Sequence, residues 1–190
     1  MPAPERTSTE QVVAEARRIL EQRGADGLTM QAVASAVGVR APSLYKRVAG
    51  RDDLLRLALE ATALEVGDRV DRALAGAPAD ARGALGAVAD ATREYAAEAP
   101  VAFGLLFGPL PDAARPRTEV LASASAAVLA LGRRLAGPDH ELAAARTITA
   151  WMTGFIGMQH AGAFRLNGDV EEAWRFGVEA LGAALEARRA

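Results

Sequence analysis

The sequence predicts an all-α protein, with a small N-terminal helix-turn-helix domain in residues 1–50 and a larger helical domain in residues 51–190. Three observations support this fold class. Apolar residues recur at helical spacing in alanine-rich segments, and clusters of Gly and Pro separate those segments. Alternating β-branched or aromatic residues never persist for five positions, and aromatic residues make up 5% of the 190 residues, so no strand is expected.

The first two helices have recognisable ends. Apolar residues at helical spacing run from Val12 to Leu20, and Gly24 and Gly27 are expected to end this helix. Its start can be capped by either of two pairs, Thr7 with Glu10 or Ser8 with Gln11. The second helix has an N-cap residue, a hydrophobic staple and a terminal glycine, which are Thr29, Leu28 with Val33, and Val37–Gly38.

A third, short helix is expected from about Arg40 to Arg47, with Pro42 in its first turn, where a missing amide proton is tolerated. Gly50 then interrupts the chain. Asp52 and Asp53 suit the start of a long fourth helix, because carboxylates interact favourably with the positive end of the helix dipole. Further helices are separated at Gly76–Pro78, Ala99–Pro100, Pro109–Pro116, Gly137–Pro138 and Asn167–Gly168.

The composition limits the possible chemistry and location. The absence of cysteine excludes disulfides, thiolate zinc sites, iron–sulfur clusters and a cysteine nucleophile. The first ten residues lack the apolar stretch of a secretory signal, so a cytoplasmic protein is expected. The uncharged run between Arg146 and Arg165 contains polar residues and glycines, which favours a buried or interface helix over a membrane span.

The charge is unevenly distributed although the net charge is only −2. Residues 1–51 carry +3 and the rest of the chain carries −5. Between Leu28 and Arg51 there are four basic residues and no acidic residue. This local excess of positive charge is typical of a surface that binds phosphate groups.

Residues 29–47 have the pattern of a helix-turn-helix motif. Val33, Val37, Val39 and Leu44 provide an apolar inner face, and Gly38 permits the tight turn between the helices. The helix after the turn exposes donors suited to phosphate oxygens and base edges, namely Arg40, Ser43, Tyr45, Lys46 and Arg47. The alternatives are an ordinary helical hairpin with a solvated charged face, and a helical adaptor that contacts another protein.

Two longer stretches can be compared with known families. They are Leu28-Thr29 through Val39, and Ala41-Pro42-Ser43-Leu44-Tyr45-Lys46-Arg47-Val48 followed by Arg51-Asp52-Asp53-Leu54-Leu55. Together they resemble the DNA-binding domain of the TetR family of bacterial transcriptional regulators. The resemblance implies a homodimeric repressor that binds double-stranded operator DNA and is released by a small-molecule effector. The DNA contacts that it implies are Thr29, Arg40, Pro42, Ser43, Tyr45, Lys46, Arg47 and Arg51. Val48 and Arg51 stand where the family commonly has Phe and Lys.

The larger domain offers a candidate pocket and a candidate dimer interface. Apolar walls and polar contacts of a pocket for a hydrophobic effector would come from Arg93, Tyr95, Phe103, Phe107, Trp151, Phe155, Gln159 and His160. Small and apolar residues of two helices would meet a second subunit, with Gly157, Ala161, Trp174, Val178 and Leu181 as candidates. Ordinary core packing is the alternative for each apolar residue of both sets.

Catalytic and metal-binding readings have weaker support in the sequence. Ser43 and Lys46 match the Ser-x-x-Lys string of penicillin-recognising acyl enzymes, but no Ser-Asp-Asn or Lys-Thr-Gly follows. His140 and His160 have no ligand spacing around them. Gly154-x-x-Gly157 follows no strand and lacks a phosphate-loop lysine. We therefore expect no enzymatic activity, no cofactor, no metal and no membrane partner.

Overall fold

The computed structural model describes residues 8–189 of the chain. Every regular element in that range is a helix, which confirms the all-α prediction. The chain forms two compact units: the first runs up to Leu64 and includes Ala99–Leu121, and the second comprises Glu65–Glu98 and the chain from Ala122 onward. The predicted Thr7 cap and the segment tested for a secretory signal before it lie outside the described residues.

Helix α1 spans Thr9–Gly27 and begins with the second of the two predicted capping boxes. The Ser8 hydroxyl accepts the Gln11 amide proton at 3.2 Å, and the Gln11 side chain accepts the Ser8 amide proton at 3.0 Å. Gly24 interrupts the helical geometry with φ +69°, a value that glycine adopts without steric cost. The predicted stop at Gly24 and Gly27 therefore consists of a kink followed by the end of the helix.

Helix α2 spans Met30–Ala36, and the Thr29 hydroxyl caps it by accepting the Ala32 amide proton at 3.1 Å. Gly38 has φ +74° in the turn that follows, as the motif requires. Helix α3 spans Ala41–Leu44 and is one turn shorter than predicted. The Arg47 amide donates to the Leu44 carbonyl at 2.8 Å, an i→i−3 bond that tightens the last residues into a turn.

The remaining helices lie between the predicted breaks. They are α4 (Arg51–Gly76), α5 (Ala81–Glu98), α6 (Pro100–Leu106), α7 (Thr118–Ala124), α8 (Ala126–Ala136), α9 (Glu141–His160) and α10 (Val170–Glu186), with short 3-10 turns at Asp112–Ala114 and Pro138–His140. Helix α9 ends at His160, before the predicted break at Asn167–Gly168. No glycine or proline marks the break at Ser125 that separates α7 from α8.

The first unit encloses an apolar core beneath α3. Leu44 and Val48 are 1% and 2% exposed, and they belong to the same buried cluster as Ile19 of α1, Val33 of α2 and Leu54 of α4. Val48 is smaller than the Phe common in the family, but it remains inside the core. Burial of these two side chains fixes which face of α3 is turned to solvent.

The second unit packs α5, α8, α9 and α10 against one another. At Gly132 of α8, a Cβ atom would stand 2.6 Å from the Glu141 carbonyl oxygen of α9, so only glycine permits this close crossing. At Gly177 of α10, a Cβ atom would stand 2.0 Å from a ring carbon of Trp151. Throughout residues 8–189, no helix combines the length and apolarity needed to cross a bilayer.

Candidate functional site

Five exposed residues form what we call the α3 surface, namely Arg40, Pro42, Ser43, Tyr45 and Lys46. The Tyr45 side chain is 59% exposed although it lies next to the fully buried Leu44. Because Leu44 and Val48 are turned into the core, the polar residues between and before them project outward. All five of these predicted DNA contacts are therefore accessible from solvent.

The cations of this segment differ in how they are held. Among residues 8–189, the side chains of Arg40 and Lys46 have neither an ion-pair nor a hydrogen-bond partner. Arg47 is half-buried, and its charge contributes to lowering the pKa of Glu10, behind the larger effects of hydrogen bonds from Ser8 and the Glu10 backbone. Arg40 and Lys46 thus keep all their donors available for an external anion.

Thr29 is the exposed N-cap residue of α2, the helix that precedes α3 in the helix-turn-helix motif. Its oxygen accepts the Ala32 amide proton, and the hydroxyl proton stays available to an external acceptor. A phosphate oxygen is such an acceptor. The N-cap role and the predicted DNA contact are therefore compatible.

Arg51 is held differently from the other predicted contacts. Its Nε donates to the Leu28 carbonyl at 3.0 Å, and its Nη2 donates to the Ala25 carbonyl at 2.6 Å. Its Nη1 lies 3.5 Å from the Asp52 carboxylate. The guanidinium therefore contacts the end of α1 and the start of its own helix.

A second polar feature of the first unit is a carboxylate network along α4. Glu60 is 4% exposed and accepts hydrogen bonds from Arg56 at 2.8 Å and from the Arg117 backbone amide and side chain at 2.9 to 3.0 Å. Arg56 also pairs with Asp53, whose other oxygen accepts the Ala49 amide proton at 2.8 Å. The α4 spacings are detectable in the sequence as i, i+3 and i, i+4 pairs, but nothing there indicates Arg117.

The network lowers the pKa of both carboxyl groups. For Glu60, burial raises the pKa, but the hydrogen bonds from Arg117 and Arg56 outweigh burial and leave it below its ordinary value. For Asp53, burial likewise raises the pKa, and the Ala49 amide and Arg56 together bring it below its ordinary value. Both groups are therefore held as carboxylates in the folded protein.

In the second unit, Trp151, Phe155, Phe164 and Trp174 form what we call the aromatic cluster. The Trp174 ring centroid lies 5.0 Å from that of Trp151 and 5.1 Å from that of Phe155, and Phe155 lies 4.8 Å from Phe164. Trp174 is 1% exposed, and its indole N–H donates to Asp90 at 3.0 Å. The cluster joins α9, α10 and the loop between them to α5.

Arg93 of α5 lies against this cluster. Its guanidinium carbon is 4.9 Å from the Trp174 ring centroid, its Nε donates to Gln159 at 3.0 Å, and its Nη1 donates to Glu171 at 2.7 Å. Four of the predicted pocket residues are thereby brought together, namely Arg93, Trp151, Phe155 and Gln159. Trp151 and Phe155 pack on each other and on Trp174, while Arg93 lies over the Trp174 ring and donates to Gln159.

The other predicted pocket residues lie elsewhere. Tyr95 is buried in the second unit, with its hydroxyl donating to Glu65 at 3.3 Å. Phe103 and Phe107 belong to the first unit, with ring centroids 5.2 Å apart, and His160 is exposed at the end of α9. A cavity of about 410 Å³ does open between α5 and α10, lined by Arg82, Gly83, Gly86, Asp90, Trp174, Arg175, Val178 and Glu179.

The predicted interface residues divide into two groups. Gly157 and Ala161 are exposed, and a Cβ atom at Gly157 would meet nothing within 4 Å. Val178 and Leu181 are half-buried on α10. Trp174 belongs to the interior of the second unit, so its side chain is not accessible to a second subunit. The sequence prediction grouped Trp174 with the other candidate interface residues of its helix, because the spacing of residues does not reveal its hydrogen bond to Asp90 of α5.

The helix-turn-helix geometry, the outward-facing α3 and the surrounding helices define a helix-turn-helix regulator. Residues 5–58 match the family profile described as bacterial regulatory proteins, tetR family, and residues 85–181 match that of the tetracyclin repressor-like C-terminal domain. The second match alone covers more than half of the chain. The chain belongs to the TetR family of transcriptional regulators.

One curated relative is itself a transcriptional regulator, and two solved structures share the fold. An HTH-type transcriptional regulator of Mycobacterium tuberculosis is 37% identical over 97 residues, which are 50% of this chain and 42% of the relative, so the match spans less than half of the relative's length. A Rhodococcus protein of unknown function has a TM-score of 0.77 at 20% identity, covering 96% of this chain and 98% of its own. A TetR variant from Acinetobacter baumannii in complex with minocycline has a TM-score of 0.72 at 22% identity, covering 97% and 99%.

Proposed function

We propose that this TetR-family regulator is a repressor that binds a specific operator by placing α3 in the major groove of double-stranded DNA. The observation that supports it most strongly is the α3 surface itself, on which Arg40 and Lys46 stand without partners among the described residues while Leu44 and Val48 anchor the helix from below. A groove of duplex DNA presents phosphates and base edges to such donors. Tyr45 adds a hydroxyl that reaches the backbone.

The first experiment selects bound duplexes from a random pool and then titrates the selected operator at several salt concentrations. We expect log K to fall steeply with log salt, by about 0.9 for each phosphate that the protein neutralises. The combined variant Tyr45→Phe with Lys46→Ala should weaken binding, whereas Arg165→Ala, which removes an exposed cation of the second unit, should not. Undiminished binding by the combined variant would reject the proposed surface.

A helical adaptor that binds another protein is the second candidate, and the same titration distinguishes the two. Selection would then enrich no sequence, and residual binding to DNA would show no preference between the selected duplex and a scrambled one. The absence of acidic residues between Leu28 and Arg51 favours DNA over a protein partner.

We propose that the regulator acts as a homodimer through exposed faces of α9 and α10. Gly154 and Gly157 leave the α9 face open, and Phe176 of α10 is 72% exposed, an unusual position for a large apolar side chain in a monomer. A two-fold dimer matches two half-sites about 34 to 36 Å apart. Light scattering at micromolar concentration should give the mass of a dimer, and Phe176→Arg should shift it toward the monomer. A monomeric parent protein would reject this part.

We propose that a small-molecule effector binds the second unit and releases the operator. The cavity between α5 and α10 is within the size range of ligand sites and shares Trp174 with the aromatic cluster. The minocycline complex of the Acinetobacter relative provides an analogy within the fold. An effector that binds the DNA-free conformation more tightly must lower operator affinity by the same factor.

The effector experiment screens apolar and amphipathic compounds for release of the selected operator. Gly86→Leu places an apolar side chain at the cavity lining, where a Cβ atom meets nothing within 4 Å. We expect this variant to bind the operator normally but to lose its response to any compound that binds in the cavity. A full response by the variant would show that the effector does not bind in this cavity.

A further inference from the structure

The side chain of Arg51 lies where the end of α1, the start of α2 and the start of α4 come together. Its Nε and Nη2 donate to the carbonyl oxygens of Leu28 and Ala25, at 3.0 and 2.6 Å. The Ala25 carbonyl oxygen also accepts the Leu28 amide proton at 3.2 Å, and its second lone pair is left for Arg51. A guanidinium with a fixed fork of donors can bond this oxygen and the Leu28 carbonyl oxygen together. The kink at Gly24 and the end of α1 provide these carbonyl groups.

The residues that Arg51 holds are next to the candidate DNA contacts. Leu28 is fully buried and precedes Thr29, the exposed N-cap of α2. Two residues beyond Arg51, Asp53 accepts the Ala49 amide proton at 2.8 Å, directly after the turn that ends α3. The first turn of α4 is thus bonded on one side to the start of α2 and on the other to the end of the α3 segment.

We infer that Arg51 is a positioning residue, which fixes Thr29 relative to the α3 surface and does not itself neutralise a phosphate. This inference rests on the proposed DNA binding. The guanidinium is already engaged by two carbonyl groups and lies 3.5 Å from the Asp52 carboxylate, which offsets its charge. The resemblance to the TetR family, in which a lysine usually occupies this position, implies the opposite role.

A positioning role at residue 51 requires arginine, whereas a phosphate contact would be satisfied by either arginine or lysine. The planar fork of arginine donates to two acceptors at once, whereas the ammonium group of lysine is a compact charge on a flexible stem. A phosphate contact would tolerate lysine because the charge is retained. The bridge between Leu28 and Ala25 would be lost in Arg51→Lys although the charge remains.

The test compares Arg51→Lys and Arg51→Gln with Lys46→Ala, which removes a cation of the α3 surface. Operator affinity is measured by fluorescence anisotropy at several salt concentrations, below the melting temperature of each variant. Both Arg51 variants should bind about tenfold more weakly, the loss expected for one charge-assisted hydrogen bond, with the parent's dependence of log K on log salt. Lys46→Ala should reduce that slope by about 0.9.

Two results would overturn the inference. One is parent-like binding by Arg51→Lys together with a slope reduced by about 0.9 in Arg51→Gln, which is the behaviour of a phosphate contact. The other is unchanged affinity in both Arg51 variants. If the parent protein binds no duplex at all, the proposed function fails.

Amide hydrogen exchange provides a readout without DNA. The amide of Ala32, which donates to Thr29, and the segment from Leu28 to Val33 should exchange faster in Arg51→Lys than in the parent. Lys46→Ala should leave this exchange unchanged. Unchanged exchange in Arg51→Lys would show that the guanidinium does not hold this segment, whatever the result with DNA.

Discussion

On the α3 surface, Arg40 and Lys46 end in solvent with no partner among residues 8–189, whereas Arg93 beside the aromatic cluster contacts Trp174, Gln159 and Glu171. The apolar residues of the two regions also have different roles. Under α3, Leu44 and Val48 belong to a buried core that leaves the polar residues exposed, whereas around Trp174 the apolar rings pack between helices.

This difference separates binding from stability. A solvated cation without a partner contributes little to folding, and its donors remain available to an anion. A buried ring with a satisfied N–H contributes to folding mainly through packing. Substitutions in the two regions should therefore affect different measurements.

The largest effect is expected for Trp174→Ala. It removes a fully buried ring from contact with Trp151 and Phe155 and leaves Asp90 without the indole N–H. We expect the free energy of unfolding to fall by about 3 to 5 kcal/mol, measured by urea denaturation followed by circular dichroism. Leu166→Ala, at a position that is 93% exposed, is the control and should change it by less than about 0.5 kcal/mol.

An intermediate effect is expected for Glu60→Gln in the first unit. The amide keeps the shape of the side chain but loses the charge that Arg56 and Arg117 share. Because much of the Arg117 side chain is in water, we expect a loss of about 1 to 2 kcal/mol in the free energy of unfolding, at the low end for charged hydrogen bonds. A variant as stable as the parent at pH 7 would contradict this role.

The same carboxylates predict how stability depends on pH. Since the pKa values of Asp53 and Glu60 are lowered in the folded state, the unfolded chain binds more protons when the pH falls below about 5. Their contribution is complete above the ordinary pKa values and is lost as the pH falls through the lowered ones. The stability difference between parent and Glu60→Gln should therefore shrink from pH 6 to pH 3.5.

A smaller effect is expected for Arg93→Lys. Lysine retains a cation near the Trp174 ring but cannot donate to Gln159 and Glu171 with a fixed fork. Glu171 is largely exposed, so that ion pair contributes little. We expect a loss of about 1 kcal/mol in unfolding free energy, measured by the same denaturation, with operator affinity unchanged. A loss as large as that of Trp174→Ala would mean that Arg93, and not ring packing, organises this region.

The sequence predicted the helix-turn-helix segment well because its signals are local. The Ser8–Gln11 capping box, the Thr29 cap and the positive φ of Gly38 each involve residues within a few positions of one another. Because Leu44 was expected on the inner face of the motif, the next two residues, Tyr45 and Lys46, were expected to point outward. What it could not predict is that Arg51 bends back to carbonyl groups 23 and 26 residues earlier.

The second unit was predicted less completely because its contacts are long-range. Trp174 and Asp90 are 84 residues apart, and Arg93 and Glu171 are 78 apart, so no spacing rule brings them together. Helical periodicity correctly placed Trp174 on an apolar face, but it could not tell a face buried against α5 from one available to a second subunit. The sequence showed which side chains of this region are apolar or charged. Only the structure shows which of them contact one another.

The smallest effect on folding is expected for the double variant Arg40→Ala with Lys46→Ala. Neither cation has a partner to lose among the described residues, so the free energy of unfolding should change by less than about 0.5 kcal/mol. The same variant should lower the dependence of log K on log salt by about 1.8, since each cation accounts for about 0.9. A loss of stability above about 1 kcal/mol would show that the α3 surface is held by these side chains, and it would remove the contrast with the aromatic cluster. An unchanged salt dependence with unchanged stability would place the phosphate contacts on other residues of the first unit.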